Sequence, residues 1–256
     1  MSLVEVVYWT YAALLGAATG SFLNVCVVRL PDEESVVRPP SRCPGCAARI
    51  AWYDNIPILS YLWLRGRCRH CGERIAAQYP LVEASTAAIW LGMALHYGPS
   101  WRALEGALLF SLLLGIALVD ARHYLIPDVM SIGGLAAGLA LSLLPGGVGP
   151  LEAVGGAAGG FALLWLVGAV GEWWLDRPAM GGGDMKLLAM IGAFLGPVDT
   201  LLSLFLGALT GTVVFGPISL KTGKLVPFGV FLALGAALAF LFGEPLTEWY
   251  RAWAFG

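Results

Sequence analysis

The chain has 256 residues, of which 58% are hydrophobic and only 12% are charged, and its net charge is −2 at pH 7. Soluble domains average about 25% charged residues, so the 15 basic and 17 acidic side chains cannot coat a water-soluble protein of this size. This composition argues against a disordered chain and against a small secreted disulfide scaffold, and the net charge gives no reason to expect a nucleic-acid partner. We therefore expect an integral membrane protein.

Seven stretches are apolar and long enough to cross a hydrocarbon core of about 30 Å as helices. They are residues 6–28, 80–97, 103–119, 124–144, 151–174, 199–220 and 225–242. A further piece, residues 185–195, covers only about 17 Å at the helical rise. It begins earlier, at Gly183, or crosses a locally thinned bilayer, or forms a half-helix buried among the other spans. The sequence thus predicts an all-α polytopic membrane protein with about eight transmembrane helices.

The distribution of basic residues predicts the orientation. If the short piece crosses the bilayer, both termini share one side, and only Arg102 and Arg251 of the 15 Lys and Arg residues lie there with them. The positive-inside rule then places the Arg-rich side in the cytoplasm and both termini outside. We expect the N-terminal stretch to be the first span and not a removed signal peptide, because no basic segment precedes it and no A-x-A site follows.

Pairs of glycines at four-residue spacing recur along the predicted spans, and this pattern favours close helix packing in lipid. The pairs are Gly16/Gly20, Gly134/Gly138, Gly155/Gly159, Gly156/Gly160, Gly192/Gly196 and Gly207/Gly211. A nucleotide-binding glycine loop is a poor alternative, because residues 155–160 do not open a helix after a strand.

The one long hydrophilic segment of the sequence is residues 29–79. A segment of this length is too short to form a stable hydrophobic core without a cross-link or a bound metal. Two C-x2-C pairs, Cys43/Cys46 and Cys68/Cys71, have the spacing of a zinc ribbon. Four thiolates can bind one Zn²⁺ tetrahedrally, and the metal then replaces the missing core. Disulfides are a weaker alternative because this side of the membrane is reducing. We predict a small cytoplasmic zinc-ribbon-like loop with structural zinc.

Two acids at the predicted cytoplasmic boundary are catalytic candidates, because a carboxylate near bilayer depth is costly. Asp120 closes the third span, and Asp184 opens the short piece after a run of glycines. Like charges a few ångströms apart cannot both ionise, so one carboxyl can serve as acid while the other activates water. The alternative is structural: Asp120 pairs with Arg122 or Lys186, and Asp184 merely caps a helix.

Two neighbours of these acids have plainer expected roles. Asp128 follows Pro127 at the start of a span, where an acid interacts favourably with the helix dipole. Lys186 either extends to the headgroups or biases the acid pair electrostatically.

The ordered motifs resemble the bifunctional prepilin leader peptidases/N-methyltransferases of type IV pilus and type II secretion systems, which are GxGD aspartic peptidases. The resemblance covers about 210 residues. The matching segments are Gly20-Ser21-Phe22-Leu23-Asn24-Val25, Arg29-Leu30-Pro31, both cysteine pairs with Asp54-Asn55-Ile56-Pro57 and Leu64-Arg65-Gly66-Arg67-Cys68 between them, Tyr79-Pro80-Leu81-Val82-Glu83, Asp120 with Ile126-Pro127-Asp128, Gly181-x-Gly183-Asp184 with Lys186-Leu187, and Pro227-Phe228-Gly229. The chain departs at Gln78, where Arg is usual, and at Val230, where Pro is common; we expect neither residue to touch the acid pair.

The resemblance implies that Asp120 and Asp184 are the catalytic pair of an endopeptidase in the bacterial inner membrane. Its substrates would be prepilins and pseudopilins, cut after a Gly that ends a short basic leader. The supporting residues would be Gly181, Gly183, Lys186 and Asp128. Residues 80–256 would then form the peptidase helices, after a first transmembrane helix at 1–28.

The resemblance also implies methylation of the new N-terminal amine with S-adenosyl-L-methionine, an activity associated with the cysteine loop at 29–79. The sequence has no Rossmann-type fingerprint, so the cofactor site does not follow from a motif. Weak candidates are the polar residues near the junction of loop and membrane: Asn24, Asp54, Asn55 and Glu83. Two other functions stay open at this point, a peptidase without methylation and a transporter that uses intramembrane carboxylates.

Overall fold

A computed structural model of the chain describes residues 2–177, 179–222 and 226–255. These residues are helical with irregular connections and form no strand, apart from isolated bridges between Arg42 and Arg49 and between Arg67 and Arg74. The helices are α1 (Leu3–Arg29), α2 (Leu59–Trp63), α3 (Gln78–Tyr97), α4 (Trp101–His123), α5 (Asp128–Leu141), α6 (Pro150–Leu175), α7 (Gly182–Thr222) and α8 (Phe228–Phe255). The predicted all-α architecture is confirmed.

Five of these helices, α1, α4, α6, α7 and α8, are long and apolar enough to cross a membrane. Helix α5 is apolar but shorter, and α3 coincides with the predicted second span. The chain is therefore a multi-pass membrane protein, and the number of eight spans stays a prediction. Leu225, the predicted start of the last span, and Lys224, counted among the cytoplasmic charges, lie outside the described residues.

The chain divides into two compact units, Met1–Ser111 and Leu112–Gly256. In the first unit α1 packs against α3 through the predicted pair Gly16 and Gly20. A Cβ atom on Gly16 would lie 2.8 Å from Trp90 Cβ, and one on Gly20 would lie 2.7 Å from Glu83 Cα. Only glycine lets the two backbones approach so closely.

In the second unit α7 is two helices that meet at Gly196, which has φ 73° and ψ 178°. The first part, residues 182–195, contains the predicted short piece, and its residues from Leu187 to Leu195 are all buried. The structure therefore shows this piece as part of a helix buried among others, and whether it crosses the bilayer stays a prediction. After the break, residues 197–222 continue as a second helix that packs against α8.

The glycine pairs account for most of the close packing in this unit. Gly156 on α6 and Gly192 on α7 lie against each other's backbone, and Gly134 on α5 contacts Met190. The expectation was wrong for one pair: Gly155 has only a distant neighbour, and Gly159 faces open space. The two glycine pairs of α6, Gly155/Gly159 and Gly156/Gly160, overlap in sequence. Only the pair that contains Gly156 faces the buried first part of α7.

Candidate active site, metal site and cavity

The second unit brings the two candidate acids together. Asp120 lies near the C-terminal end of α4 and is 5% exposed, while Asp184 lies in the first turn of α7 and is half-buried. The two carboxyl groups are close enough to interact electrostatically. Ile126 lies beside both glycine motifs, because a Cβ on Gly183 would be 3.0 Å from Ile126 Cβ and one on Gly229 would be 3.0 Å from Ile126 Cδ1.

Asp120 also receives a hydrogen bond that the sequence reading missed. The Val230 N–H at the start of α8 donates to Asp120 Oδ2 at 3.1 Å. A helix N-terminus presents unpaired N–H groups, so this end of α8 is suited to a carboxylate. The expectation that Val230 would not touch the acid pair was therefore wrong. The Pro227-Phe228-Gly229 motif was the signal in the sequence for this contact, but it did not indicate which of the two acids the start of α8 would contact.

Lys186 does not neutralise Asp120. Its Nζ atom donates to both carboxylate oxygens of Asp128, at 2.7 and 2.8 Å. The alternative in which Lys186 pairs with Asp120 is thus wrong. Asp128 begins α5 directly after Pro127, as expected, and it also fixes the Lys186 ammonium group in an ion pair.

Two of the glycines before Asp184 lie where other atoms come close to the backbone. A Cβ on Gly181 would be 2.9 Å from Asp184 Oδ2, and one on Gly183 would press on Ile126. A side chain at Gly181 would therefore displace the Asp184 carboxyl group, and one at Gly183 would displace Ile126.

The first unit brings the four loop cysteines together. The sulfur atoms of Cys43, Cys46, Cys68 and Cys71 all lie within 4.8 Å of one another, and Cys43 Sγ is 3.7 Å from Cys71 Sγ. Four thiolates at a Zn–S distance of about 2.3 Å in a tetrahedron are separated by about 3.8 Å. The four cysteines therefore form a metal-binding cluster whose donor set fits zinc.

Two similar turns build this cluster. In each, the N–H of the first cysteine donates to a carbonyl five residues on, Cys43 to Ala48 and Cys68 to Glu73. Backbone N–H groups of Cys71 and His70 donate to Cys68 Sγ and lower the pKa of its thiol to about 6. The thiolate is the form that binds metals, so these backbone donors favour Cys68 as a metal ligand.

A cavity of about 420 Å³ lies in the same unit, lined by α1, the cysteine loop and the start of α3. All four weak cofactor candidates, Asn24, Asp54, Asn55 and Glu83, line it. Its size falls within the range of small-molecule sites, about 300–1,000 Å³. These residues were predicted only to lie near the junction of loop and membrane, and the fold brings them to one cavity.

The polar groups of this cavity differ in how they are paired. Asp54 holds Arg69 through Nε at 2.8 Å and Nη2 at 2.6 Å, and these hydrogen bonds keep the pKa of Asp54 below its usual value. Glu83 accepts the Ile58 N–H at 2.7 Å. Asn24 Nδ2 donates to the carbonyl oxygens of Gly20 and Tyr79.

Comparison with known families identifies both units. Residues 14–97 match the Bacterial Peptidase A24 N-terminal domain, and residues 107–216 match the Type IV leader peptidase family. The chain is 38% identical to the prepilin leader peptidase/N-methyltransferase of Aeromonas hydrophila, over 95% of this chain and 93% of that protein. The chain belongs to the type IV leader peptidase family.

Two further relatives of the type IV leader peptidase family are also prepilin leader peptidases/N-methyltransferases. The chain is 39% identical to the protein of Myxococcus xanthus, over 84% of this chain and 64% of that protein. It is 36% identical to the protein of Pseudomonas aeruginosa, over 94% of this chain and 92% of that protein. No solved structure matches the chain.

The family matches divide the described sites between them. The N-terminal match includes the four cysteines and the cavity, while the leader peptidase match includes Asp120 and Asp184. Val230, which donates to Asp120, lies beyond the second match. Membership in a peptidase family also decides against the transporter interpretation of the intramembrane acids.

Proposed function

We propose that this chain cleaves the leader peptides of prepilins and pseudopilins and then methylates the new N-terminus, with Asp120 and Asp184 as the peptidase dyad. The supporting observation is the meeting of these two acids, 64 positions apart in the chain, with Asp120 buried and bonded to the start of α8. The relatives named above are prepilin leader peptidases/N-methyltransferases, and the chain covers nearly all of two of them.

The dyad hydrolyses the peptide bond with a water molecule. One carboxylate takes a proton from the water, whose oxygen attacks the carbonyl carbon, while the other carboxyl group protonates the carbonyl oxygen. When the tetrahedral intermediate collapses, the C–N bond breaks and the amine leaves with the proton held by the first carboxyl group, while the second carboxylate takes back a proton from a hydroxyl group of the intermediate. Because Gly181 and Gly183 have no side chains, the Asp184 carboxyl group and Ile126 are not displaced from their positions. The Lys186–Asp128 ion pair keeps the ammonium group off the dyad.

We place the cysteine loop in the cytoplasm of a bacterial inner-membrane protein, with both termini outside. The basic leader of a prepilin lies on the cytoplasmic side, and the cut after its Gly falls just before the apolar helix of the substrate. An orientation of this kind puts the dyad at the level where that helix enters the bilayer. Labelling of Glu34→Cys, at an exposed position of the loop outside the metal cluster, with a membrane-impermeant thiol reagent in spheroplasts tests the orientation, because only lysis should expose a cytoplasmic loop.

The second activity needs two groups that the chain would hold. Zn²⁺ would bind Cys43, Cys46, Cys68 and Cys71 and fix the loop at 29–79, which has no strands to do so. S-adenosyl-L-methionine, when bound, supplies the methyl group for the new amine. The cavity beside the cysteine loop fits such a cofactor in volume and in its buried polar groups, Asn24 and Glu83 among them.

Co-expression with a candidate prepilin, followed by intact-mass analysis of the product, tests the proposal. The wild type should release a pilin that lacks its leader and is heavier by about 14 Da per methyl group. Asp184→Asn should leave the prepilin uncut. Asp176→Asn is the matched control, because Asp176 ends α6 with φ 50°, a conformation that Asn adopts readily.

The product masses separate the possible outcomes. Cleavage at the wild-type rate by Asp184→Asn would overturn the dyad. Cleavage without added mass would leave a peptidase that does not methylate.

A further inference from the structure

The cavity in the first unit contains a buried carboxylate that forms no ion pair with a described residue, although five arginines line the same cavity. Glu83 is 8% exposed. Its contacts are neutral: the Ile58 N–H donates to Oε2 at 2.7 Å, and the Ser21 hydroxyl adds a second donor. Among the residues that the structure describes, no ion pair reaches Glu83. A buried carboxylate normally has a cationic or metal partner.

A second acceptor in the same cavity has no partner. Asn24 is 1% exposed, and both of its hydrogen bonds use Nδ2. Because those two partners are carbonyl oxygens, the amide orientation is fixed, and Oδ1 is the free acceptor. This buried Oδ1 atom has no hydrogen-bond partner in the part of the chain described. An unsatisfied buried acceptor costs about 1–3 kcal/mol, so a donor that fills it is favoured.

The backbone that meets Glu83 is strained. Ile58 has φ 62° and ψ −51°, which is rare for a β-branched residue. Its N–H is the donor to Glu83. Strain of this kind concentrates at ligand sites, where the surrounding structure holds it in place.

The other buried glutamate of the first unit shows what a structural carboxylate looks like here. Glu105 is 3% exposed, and its Oε2 accepts from Arg102 Nη1 at 2.8 Å, while its Oε1 has no hydrogen-bond partner in the part of the chain described. Glu105 also does not line the cavity. Glu83 differs on both counts, since it lines a cavity and forms no ion pair with a described residue.

We propose that Glu83 and Asn24 bind a primary ammonium group in this cavity. Within the proposed function, on which this inference rests, two groups have that chemistry: the α-ammonium of S-adenosylmethionine and the new N-terminus of the cleaved substrate. The carboxylate supplies the charge, and Asn24 Oδ1 accepts one of the N–H groups. Both acceptors suit a cationic donor and suit an anion poorly.

Binding to the full-length wild type in detergent tests the ammonium group first. The probes are S-adenosylhomocysteine and its deamino analogue, and a peptide with the mature pilin N-terminus and its N-acetylated form. Each pair is compared by isothermal titration. In one of the two pairs, the probe without the amine should bind about tenfold or more weakly than the probe with it, because it lacks a charge-assisted hydrogen bond. Equal binding within both pairs would overturn the proposal without any variant.

Glu83→Gln then locates the group, because it keeps the shape and an acceptor for Ile58 but removes the charge. The preference for the amine should fall to less than about threefold in this variant, with the deamino or acetylated probe bound as before. Glu105→Gln is the matched control and should keep the full preference. If Glu83→Gln does not fold, Glu83→Asp, which withdraws the carboxylate by one methylene, should give a partial loss. An unchanged preference in the folded variant would overturn the assignment.

The two probe pairs distinguish the sources. Loss of preference for S-adenosylhomocysteine assigns the cofactor amine to Glu83, and loss for the peptide assigns the substrate amine. A wild type that cleaves but neither binds S-adenosylhomocysteine nor adds mass to the product would instead refute the methylation part of the proposed function.

Discussion

The two units use carboxylates in opposite ways. In the second unit Asp120 and Asp184 lie at the ends of long packed helices, and a backbone N–H from α8 reaches one of them. In the first unit Glu83 lies in the second turn of α3 and lines a cavity whose other walls include an irregular loop with no strands. The acid pair is positioned by helix packing, while the loop around the cavity depends on four thiols.

This difference indicates which change should disrupt the structure of each site. Helices that are buried on several sides hold their ends without a ligand, as the fully buried residues Leu187, Met190 and Phe194 show for the start of α7. The loop contains residues with positive φ, including Ala47 and Arg65, and few buried side chains. We therefore expect metal loss to affect the first unit alone, and dyad substitutions to affect chemistry alone.

The largest expected effect is loss of the metal. Cys68→Ser should lower the zinc content from about one per chain to a small fraction, because structural zinc contributes about 10 kcal/mol or more to folding of such sites. Methylation should be lost with it, while leader cleavage is retained. Elemental analysis and the product mass measure the two effects. Cys26→Ala is the control, since Cys26 is buried in α1 and outside the cluster. Loss of cleavage in Cys68→Ser would contradict the expectation that metal loss affects the first unit alone.

A substitution in the dyad should have the converse effect, loss of cleavage without loss of methylation. Asp120→Asn should lower the rate of leader removal by about a thousandfold or more, because it removes a proton-transfer group while the amide can still accept the Val230 N–H. Methylation of a mature pilin peptide, supplied already cut, should continue at the wild-type rate. Assays on the two substrates measure this. If Asp120→Asn also stopped methylation of that peptide, the two activities would not be separable.

A smaller effect tests the helix packing that positions Asp184. A Cβ on Gly156 would lie 2.8 Å from the carbonyl carbon of Gly196, whereas Gly159, one turn along α6, faces open space. Gly156→Ala should therefore destabilise the protein by about 1–3 kcal/mol. Gly159→Ala should be neutral or stabilising by up to about 1 kcal/mol. Unfolding in mixed micelles compares the two, and equal stabilities would contradict the packing.

Much of this fold could be predicted because apolar length alone marks a membrane helix. The bounds of α1, α3 and α6 lie within about three residues of the predicted spans. The cysteine spacing likewise predicted the cluster, because ligand geometry dictates spacing. The Lys186–Asp128 pair and the Val230 N–H to Asp120 could not be predicted, since they join residues 58 and 110 positions apart whose meeting depends on helix packing.

The smallest expected effect concerns that last contact. Val230→Pro removes the N–H donated to Asp120 Oδ2, and proline is tolerated in the first turn of a helix, where α8 has just begun at Phe228. One hydrogen bond to a carboxylate is worth about 1.5–3 kcal/mol, but proline is common at this position in the family. We therefore expect a loss of about tenfold or less in the cleavage rate, with no change in methylation. Val230→Ala, which keeps the N–H, is the control. A loss as large as that of Asp120→Asn would mean that α8 orients the dyad through this single bond.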